Sequence, residues 1–204
     1  MTRRSFLCVV CLAALLVFGR QVEGQQSPAR LPRVLIQTEI GNIEVEIDSK
    51  RAPVTSENFF KYVDAGHYNG GRFHRTVKIK PDNQPDKTIK IEVIQAGVNP
   101  DKSKMDSPPV KLERTSVTGL KHLDGVISMA RLGPDTATSD FFICIGNQPE
   151  LVFGGKRNPD GQGFAAFGRV TKGMDVVRKI QQAAAEGQAL KPPIRIINIK
   201  RLTK

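Results

Sequence analysis

The segment at 71–76, GRFHRT, concentrates side chains that can do chemistry. It places two arginines and a histidine around one phenylalanine, and Lys78 and Lys80 continue the positive charge in alternation with Val77 and Ile79. That alternation is typical of a strand with one buried face. A strand that carries a guanidinium beside imidazole and aromatic groups has three interpretations: a solvated basic edge, a nucleic-acid contact or a catalytic site.

The net charge favours acidic partners but does not indicate a nucleic-acid-binding protein. The 204-residue chain has a formal net charge of +11, and residues 1–24, with three arginines and one glutamate, account for +2 of it, which leaves +9. Such a surface attracts acidic molecules. The basic residues are nevertheless spread along the chain, without a basic helix or an RNA-binding signature. We therefore expect most of them to be solvated, and we expect no specific binding of nucleic acid.

Residues 1–24 have the parts of a secretory signal peptide. Arg3 and Arg4 form a basic start, an apolar run covers 7–18, and Gly24 suits the last position before a cleavage site. The apolar run is shorter than a helix that spans a bilayer, so cleavage is the preferred interpretation and an uncleaved anchor is the alternative.

Export has consequences for location and for the cysteines. The sequence at 2–7, TRRSFL, also resembles a twin-arginine signal, so the general secretory and twin-arginine routes are both open. We expect a periplasmic or secreted protein, without membrane contact after cleavage, that begins with a polar leader at 25–32. Cys8 and Cys11 lie in the signal, which leaves Cys144 alone and excludes an intramolecular disulfide. Three scattered histidines do not favour a metal site either.

Short strands dominate the elements that must position GRFHRT. Apolar residues alternate over 34–40 and 43–47, on either side of Gly41 and Asn42, which predicts a hairpin with those two residues as its turn. Further strands are predicted at 125–131, 141–146, 164–170 and 194–202.

Two helices are predicted among the strands. The first covers 52–68, with Thr55 as its cap and Gly66 at its end, and the second covers 173–187. Each has an apolar stripe, formed by Phe59, Phe60 and Val63 in the first and by Val176, Val177 and Ile180 in the second. With no βαβ rhythm and no repeats, the pattern favours a mainly β, mostly antiparallel barrel capped by helices, although pattern alone does not separate a barrel from a sandwich.

Five stretches resemble the cyclophilin-type peptidyl-prolyl isomerases, and the resemblance covers 34–202. They are FHR at 73–75, VIQAG at 93–97, GVISMAR at 125–131, TSDFFICIG at 138–146 and FAAFGRVTKGMDVVRKI at 164–180. The resemblance implies a closed eight-stranded antiparallel barrel with a helix over each open end, formed by 33–204. It also implies isomerisation of X-Pro bonds in polypeptides by a monomer that needs no cofactor and no metal.

The resemblance also implies site residues. Arg75 matches the family's catalytic arginine, Phe142 and Leu151 match its proline pocket, and Phe141 is expected in the core. Gln95 matches the glutamine that binds substrate backbone and holds the arginine, while His74 is expected to support the site or to stack. The implied substrate-binding set is His74, Val93, Gln95, Ala130, Arg131, Phe142, Leu151 and Phe164.

The chain departs from the family pattern at the rim of the implied groove. The departures are Glu92 for a groove phenylalanine, Val93 for methionine, Arg131 for asparagine, Asp140 for glutamine, Phe164 for histidine, and Glu150 for an aromatic residue that Phe153 can replace. Residues 76–92 exceed the usual link, which predicts an inserted β-arm beside the groove. We expect altered substrate preference or slower turnover, and cyclosporin sensitivity is left open.

Three hypotheses follow from these residues. The first is an exported prolyl isomerase that accelerates the folding of secreted proteins. The second, motivated by the changes at the rim, is a non-catalytic module that binds proline peptides or folding clients on the same fold. The third is a basic surface protein that binds an anionic polymer.

Overall fold

The computed structural model describes residues 30–105 and 107–202, so the predicted signal peptide and most of the leader lie outside the described residues. Nine strands are present in the described part. They are β1 (Arg33–Thr38), β2 (Gly41–Ile47), β3 (Arg72–Val77), β4 (Val93–Gly97), β5 (Val126–Met129), β6 (Phe141–Cys144), β7 (Ala166–Lys172), β8 (Ala185–Glu186) and β9 (Ala189–Leu202).

Eight of these strands form a closed antiparallel barrel. Their order is β1-β2-β7-β5-β6-β4-β3-β9, and β9 pairs with β1 to complete the circle. The short β8 pairs with β9 and stands outside the circle. The predicted eight-stranded antiparallel barrel is therefore confirmed, and the sandwich that the pattern left open is excluded.

The first hairpin turns two residues earlier than predicted. Thr38 pairs with Gly41, so the turn is formed by Glu39 and Ile40, whereas Gly41 and Asn42 belong to β2. Gly41 is needed for another reason, because a Cβ there would lie 2.7 Å from the Cγ2 atom of Val176 and its φ is +148°. The glycine lets the second long helix approach the barrel closely.

In the part of the chain that the structure describes, three α-helices accompany the barrel: α1 (Pro53–Asp64), α2 (Thr115–Thr118) and α3 (Met174–Gln182). The two predicted helices, α1 and α3, are present, and α2 adds a single turn. The predicted cap at Thr55 is wrong, because the cap position is Ala52 and the carboxylate of Glu113 accepts hydrogen bonds from the backbone N–H groups of Val54 (3.1 Å) and Thr55 (2.8 Å). Within the described residues, no helix has the length and apolar character needed to cross a membrane.

Aromatic rings fill the barrel. Phe141 lies edge-on to Phe59 of α1, with ring centroids 5.7 Å apart, and edge-on to Phe73 at 6.1 Å. Val177 and Ile180 of α3 belong to the same buried cluster, so both longer helices pack onto the barrel core. The core position expected for Phe141 agrees with its complete burial, and Phe73 is completely buried as well.

The segment between β3 and β4 is a loop, so the predicted β-arm is wrong. Side-chain amides replace the expected backbone ladder. Asn83 Oδ1 accepts from the Lys78 N–H at 2.8 Å, and Gln84 Nε2 donates to the carbonyls of Lys78 (3.0 Å) and Ile91 (2.8 Å). Pro81 and Pro85 lie between the two alternating runs and have no N–H to contribute to a ladder.

The predicted second helix is too long. α3 ends at Gln182, and Ala183 is already extended, with φ −61° and ψ 161°. The following residues form the β8–β9 hairpin, in which Glu186 pairs with Ala189 and leaves Gly187 and Gln188 as the turn. Gly187 has a φ of +57°, which a two-residue hairpin turn requires and a helix interior does not allow.

Candidate active site

Three adjacent strands align the central residues of the site. Arg75 of β3 is paired with Gln95 of β4, which is paired in turn with Phe142 of β6. The register of β3 shifts between Phe73 and Arg75, so His74 is the extra residue of a β-bulge. Without this bulge Phe73 and Arg75 would share a face. With it, Phe73 enters the core while Arg75 lines an external groove of about 470 Å³.

Two neutral amides hold the Arg75 guanidinium. Its Nη1 donates to Gln95 Oε1 at 2.9 Å, while Nε and Nη2 donate to Gln188 Oε1 at 2.9 and 2.6 Å. Within the described residues Arg75 forms no salt bridge with a carboxylate, so its charge is not cancelled by a direct partner. Burial lowers the pKa of Arg75 from its ordinary value. The result is a fixed, partly desolvated cation that still has N–H groups to offer.

Asp140 fixes the orientation of the Gln95 amide. Gln95 Nε2 donates to Asp140 Oδ2 at 2.9 Å, which directs Oε1 toward Arg75. His74 Nε2 lies 3.5 Å from the same carboxylate oxygen, and His74 is outside the groove lining. The structure thus places the predicted His74 beside the site, in contact with a residue that orients the arginine's partner.

An apolar socket lies next to the guanidinium. Phe142 and Phe164 form an edge-on pair with centroids 5.3 Å apart, and Leu151 is fully buried beneath them. The socket cluster consists of Val77, Ile91, Val93, Phe142, Cys144 and Leu151, with Ala130 and Phe164 packed against it. Eight of the nine predicted site residues line the groove together: Arg75, Val93, Gln95, Ala130, Arg131, Phe142, Leu151 and Phe164.

Ile91, and not Glu92, supplies the wall where a groove phenylalanine was expected. Ile91 is 6% exposed and lines the groove, whereas Glu92 points elsewhere and accepts a hydrogen bond from Gln181 Nε2 at 3.2 Å. The groove position at which a phenylalanine was expected is therefore occupied by Ile91, one residue before Glu92, and it remains apolar. Phe153, considered as a substitute aromatic, is 43% exposed and does not line the groove.

The charge of Arg131 is neutralised by a salt bridge to Asp160. Its guanidinium binds Asp160 at both oxygens, at 2.7 and 2.9 Å, and its Nε donates to the Gly163 carbonyl at 2.7 Å. The bond from Arg131 lowers the pKa of Asp160 to about 2. The same guanidinium lies 5.1 Å from the centre of the Phe164 ring. Arg131 thus braces the loop beside the socket, which an asparagine could not do.

His122 supports the socket from behind, a role that the sequence did not indicate. It is 1% exposed, its ring stacks on Phe142 with centroids 6.0 Å apart, and its Nε2 lies 3.0 Å from Ser128 Oγ. Burial lowers the pKa of His122 from 6.5 to about 4. The imidazole is therefore neutral near pH 7 and acts as a packing group behind the apolar socket.

Gln188, which holds Arg75, and Arg157, which lines the groove, were not predicted, because each comes from a loop. Gln188 stands in the β8–β9 turn, where a helix was expected, and the Gly187 beside it was the available turn signal. Arg157 lines the groove from the loop after Leu151, and no periodic pattern marks it. Among the described residues, no group of three or more His, Cys, Asp or Glu side chains is arranged to hold a metal ion.

A family model described as cyclophilin type peptidyl-prolyl cis-trans isomerase/CLD matches residues 33–201. The chain belongs to this family. The chain therefore has the barrel and the isomerase activity that the resemblance of the five sequence stretches implied. The first hypothesis is confirmed as to the class of enzyme.

Two relatives from bacteria are named as peptidyl-prolyl cis-trans isomerases. The chain is 37% identical over 188 residues to peptidyl-prolyl cis-trans isomerase A of Dickeya dadantii, covering 91% of this chain and 88% of the relative. It is 34% identical over 173 residues to an isomerase of Acinetobacter baylyi, covering 82% and 84%. A cyclophilin-type isomerase of Cryptosporidium parvum, with 21% identity, has the same fold at a TM-score of 0.67, over 84% of this chain and 99% of that one.

Proposed function

We propose that the groove isomerises X-Pro bonds of exported polypeptides during their folding and that Arg75 is its catalytic residue. The observation that carries this proposal is the position of a guanidinium without a carboxylate partner among the described residues, at the edge of an apolar socket. A proline ring fits an apolar socket, and the adjacent peptide bond then lies next to the cation.

The chemistry follows from the amide bond itself. Rotation about an X-Pro bond has a barrier of about 18–20 kcal/mol, because resonance gives the bond partial double-bond character. In the twisted state the lone pair is localised on the prolyl nitrogen and accepts a hydrogen bond. Gln95 and Gln188 accept three hydrogen bonds from the Arg75 guanidinium. Its remaining N–H groups are available to the substrate. A donor fixed in advance stabilises that state with little reorganisation.

The ligand class has support from a related fold. The Cryptosporidium parvum isomerase was crystallised in the presence of the dipeptide Ala-Pro. For the present chain we propose the same unit within longer polypeptides, with Phe142 and Leu151 against the proline ring and Gln95 on the substrate backbone. The remaining members of the set, Val93, Ala130 and Phe164, shape the socket, and the protein acts as a monomer without specific binding of nucleic acid.

Export is the second part of the proposal. Its support is the sequence of residues 1–24, with a basic start, a short apolar run and a small residue before the cleavage point. The mature protein then begins near Gln25, with 33–204 as the isomerase domain, and works in the periplasm or outside the cell without a membrane contact. N-terminal sequencing of the protein from fractionated cells checks this: a start at Gln25 in the exported fraction is expected, and a retained Met1 in the cytoplasm contradicts it.

A protease-coupled assay on a proline tetrapeptide tests the catalytic role. Removing one positioned donor typically reduces the rate about 10²- to 10³-fold, and we expect this loss in kcat/KM for Arg75→Ala. Arg72→Ala is the matched control, because it removes the same side chain from the same strand outside the groove lining. If the wild-type protein does not exceed the uncatalysed rate, the enzyme assignment fails and the non-catalytic binding module takes its place.

A further inference from the structure

The groove contains more positive charge than the proposed reaction requires. Besides Arg75, the lining includes Lys87, Arg131 and Arg157. Arg131 is neutralised by Asp160, as described above. Arg75, Lys87 and Arg157 form no salt bridge with a carboxylate of the described residues. Three cations without an ionic partner therefore face one groove.

Among the described residues, Arg157 is held in place by uncharged groups alone. Its Nη1 donates to Gln84 Oε1 at 2.9 Å and to the backbone carbonyl of Ile89. Both acceptors belong to the loop at 78–92, so this loop fixes a second guanidinium over the groove. Burial lowers the pKa of Arg157, and the positive charge of Arg75 lowers it further. The two guanidiniums thus repel each other, and an anion between them relieves that repulsion.

One carboxylate lines the same groove and does not reverse its sign. Asp140 accepts from Gln95 Nε2 and lies beside His74, at the strand edge of the groove. Three cations against one carboxylate leave an excess of two positive charges in the lining. Arg75 and Arg157 are partly buried whereas Lys87 is exposed, and partly buried charges are screened less by salt, so the two guanidiniums carry most of the effect on a bound peptide.

We propose that the groove selects X-Pro segments that carry a glutamate or aspartate next to the proline, and that Arg157 is the residue that determines this preference. The inference rests on the proposed function, since it assumes that proline peptides occupy the groove. A carboxylate in the peptide gives Arg157 the ionic partner that it lacks. Proline then supplies the apolar anchor and the neighbouring acid supplies the selectivity.

Exchange and titration NMR on capped peptides tests this inference. The peptides are Ala-Xaa-Pro-Ala with glutamate, glutamine or lysine as Xaa, and a second set with the same residues after proline. The two readouts are the enzyme-catalysed cis–trans exchange rate and the peptide Kd. One charge pair at a partly exposed site is worth up to about 1 kcal/mol. In at least one set we therefore expect the glutamate peptide to bind and to exchange about threefold to fivefold better than the glutamine peptide, with the lysine peptide lowest in both.

The variants identify the residue responsible. Arg157→Gln should bring the glutamate-to-glutamine ratio close to one, and Arg157→Lys should retain part of it. Lys50→Gln is the charge-matched control, because Lys50 is exposed and outside the groove lining, and its ratio should equal that of the wild type. A ratio measured on one sample is insensitive to any loss of folded protein.

The outcomes separate the two proposals. Equal exchange rates and equal Kd values for glutamate and glutamine peptides in both sets overturn the selectivity while leaving the isomerase proposal intact. A preference that persists unchanged in Arg157→Gln overturns the role of Arg157. Absence of catalysed exchange for every peptide overturns the proposed catalysis, and the Kd ratio then still decides the charge preference.

Discussion

The two sides that hold Arg75 are built in different ways. On one side, which we call the strand wall (Gln95, Asp140 and Phe142), each residue belongs to or adjoins a paired strand. On the other side, which we call the loop wall (78–92 together with Gly187 and Gln188), the backbone is irregular and side-chain amides make the connections. The same guanidinium is therefore fixed by a rigid sheet and by a loop.

The difference separates two tasks. The backbone ladder of β4 and β6 fixes the strand wall, so its geometry depends on the barrel as a whole. The loop wall depends on Asn83 and Gln84, which bond to backbone groups of Thr76, Lys78, Gly187 and Ile91. Substitutions in the loop wall can change the groove without unfolding the barrel, and the proposed selectivity residue, Arg157, binds to this wall.

The largest expected effect concerns His122, which stacks on Phe142 of the strand wall, and the stability of the protein in acid. His122, behind Phe142, has a pKa of about 4 in the folded protein against an ordinary 6.5, so the unfolded chain binds the proton first. The stability from neutral burial is complete above pH 6.5 and is lost as pH falls toward 4, by up to about 3 kcal/mol for a shift of this size. Urea unfolding at several pH values measures the loss.

A matched variant isolates this titration. His122→Asn should be less stable at pH 7 and should lack the additional loss between pH 6.5 and 4. Asp160 titrates lower, since its pKa of about 2 lies below the ordinary 3.8, so its contribution is lost only below that window. An identical pH slope in wild type and His122→Asn would contradict the assignment of the loss to this imidazole.

The next effect tests how the strand wall holds Arg75. Gln95→Ala removes an acceptor from a charged donor, a bond worth about 1.5–3 kcal/mol, and we expect kcat/KM to fall roughly tenfold to hundredfold. Stability should change less than activity, because Gln95 is only partly buried. Steady-state kinetics and urea unfolding measure the two quantities. Unchanged kcat/KM would mean that the sheet does not position the guanidinium.

The strand wall was largely predictable from the sequence. Alternation located the strands, and Arg75, Gln95 and Phe142 came from stretches that resemble the family. The bulge at His74 was not predictable, because regular alternation places Phe73 and Arg75 on one face. A bulge depends on how the neighbouring strands pair, and that information is not local.

The loop wall was mostly not predictable. Its residues also alternate, and this led to the prediction of a β-arm and to the assignment of Glu92 to the groove position that Ile91 occupies. The contacts that decide its shape come from single amide side chains to distant backbone groups, such as Asn83 Nδ2 to the Gly187 carbonyl at 3.0 Å. Such contacts have no period in the sequence. Gln188 was not predicted for the same reason, since it lies in a turn where a helix was expected.

The smallest expected effect concerns the loop wall. Gln188→Ala removes both bonds from the Nε and Nη2 atoms of Arg75, but a turn relaxes and water replaces the lost acceptor more easily than in a sheet. We therefore expect a loss of about 1 kcal/mol in transition-state stabilisation, or roughly fivefold in kcat/KM. If Gln188→Ala costs more than Gln95→Ala, the loop wall is the principal support of the arginine.

A second variant separates position from charge at the same residue. Gln188→Glu keeps an oxygen where Arg75 donates, but its carboxylate cancels the positive charge that the reaction uses. If only position mattered, Gln188→Glu would retain more activity than Gln188→Ala. Since we attribute stabilisation of the twisted amide to an uncancelled cation, we expect Gln188→Glu to be at least as slow as Gln188→Ala. The same kinetics decide this, and a faster Gln188→Glu would show that holding the guanidinium in place is sufficient.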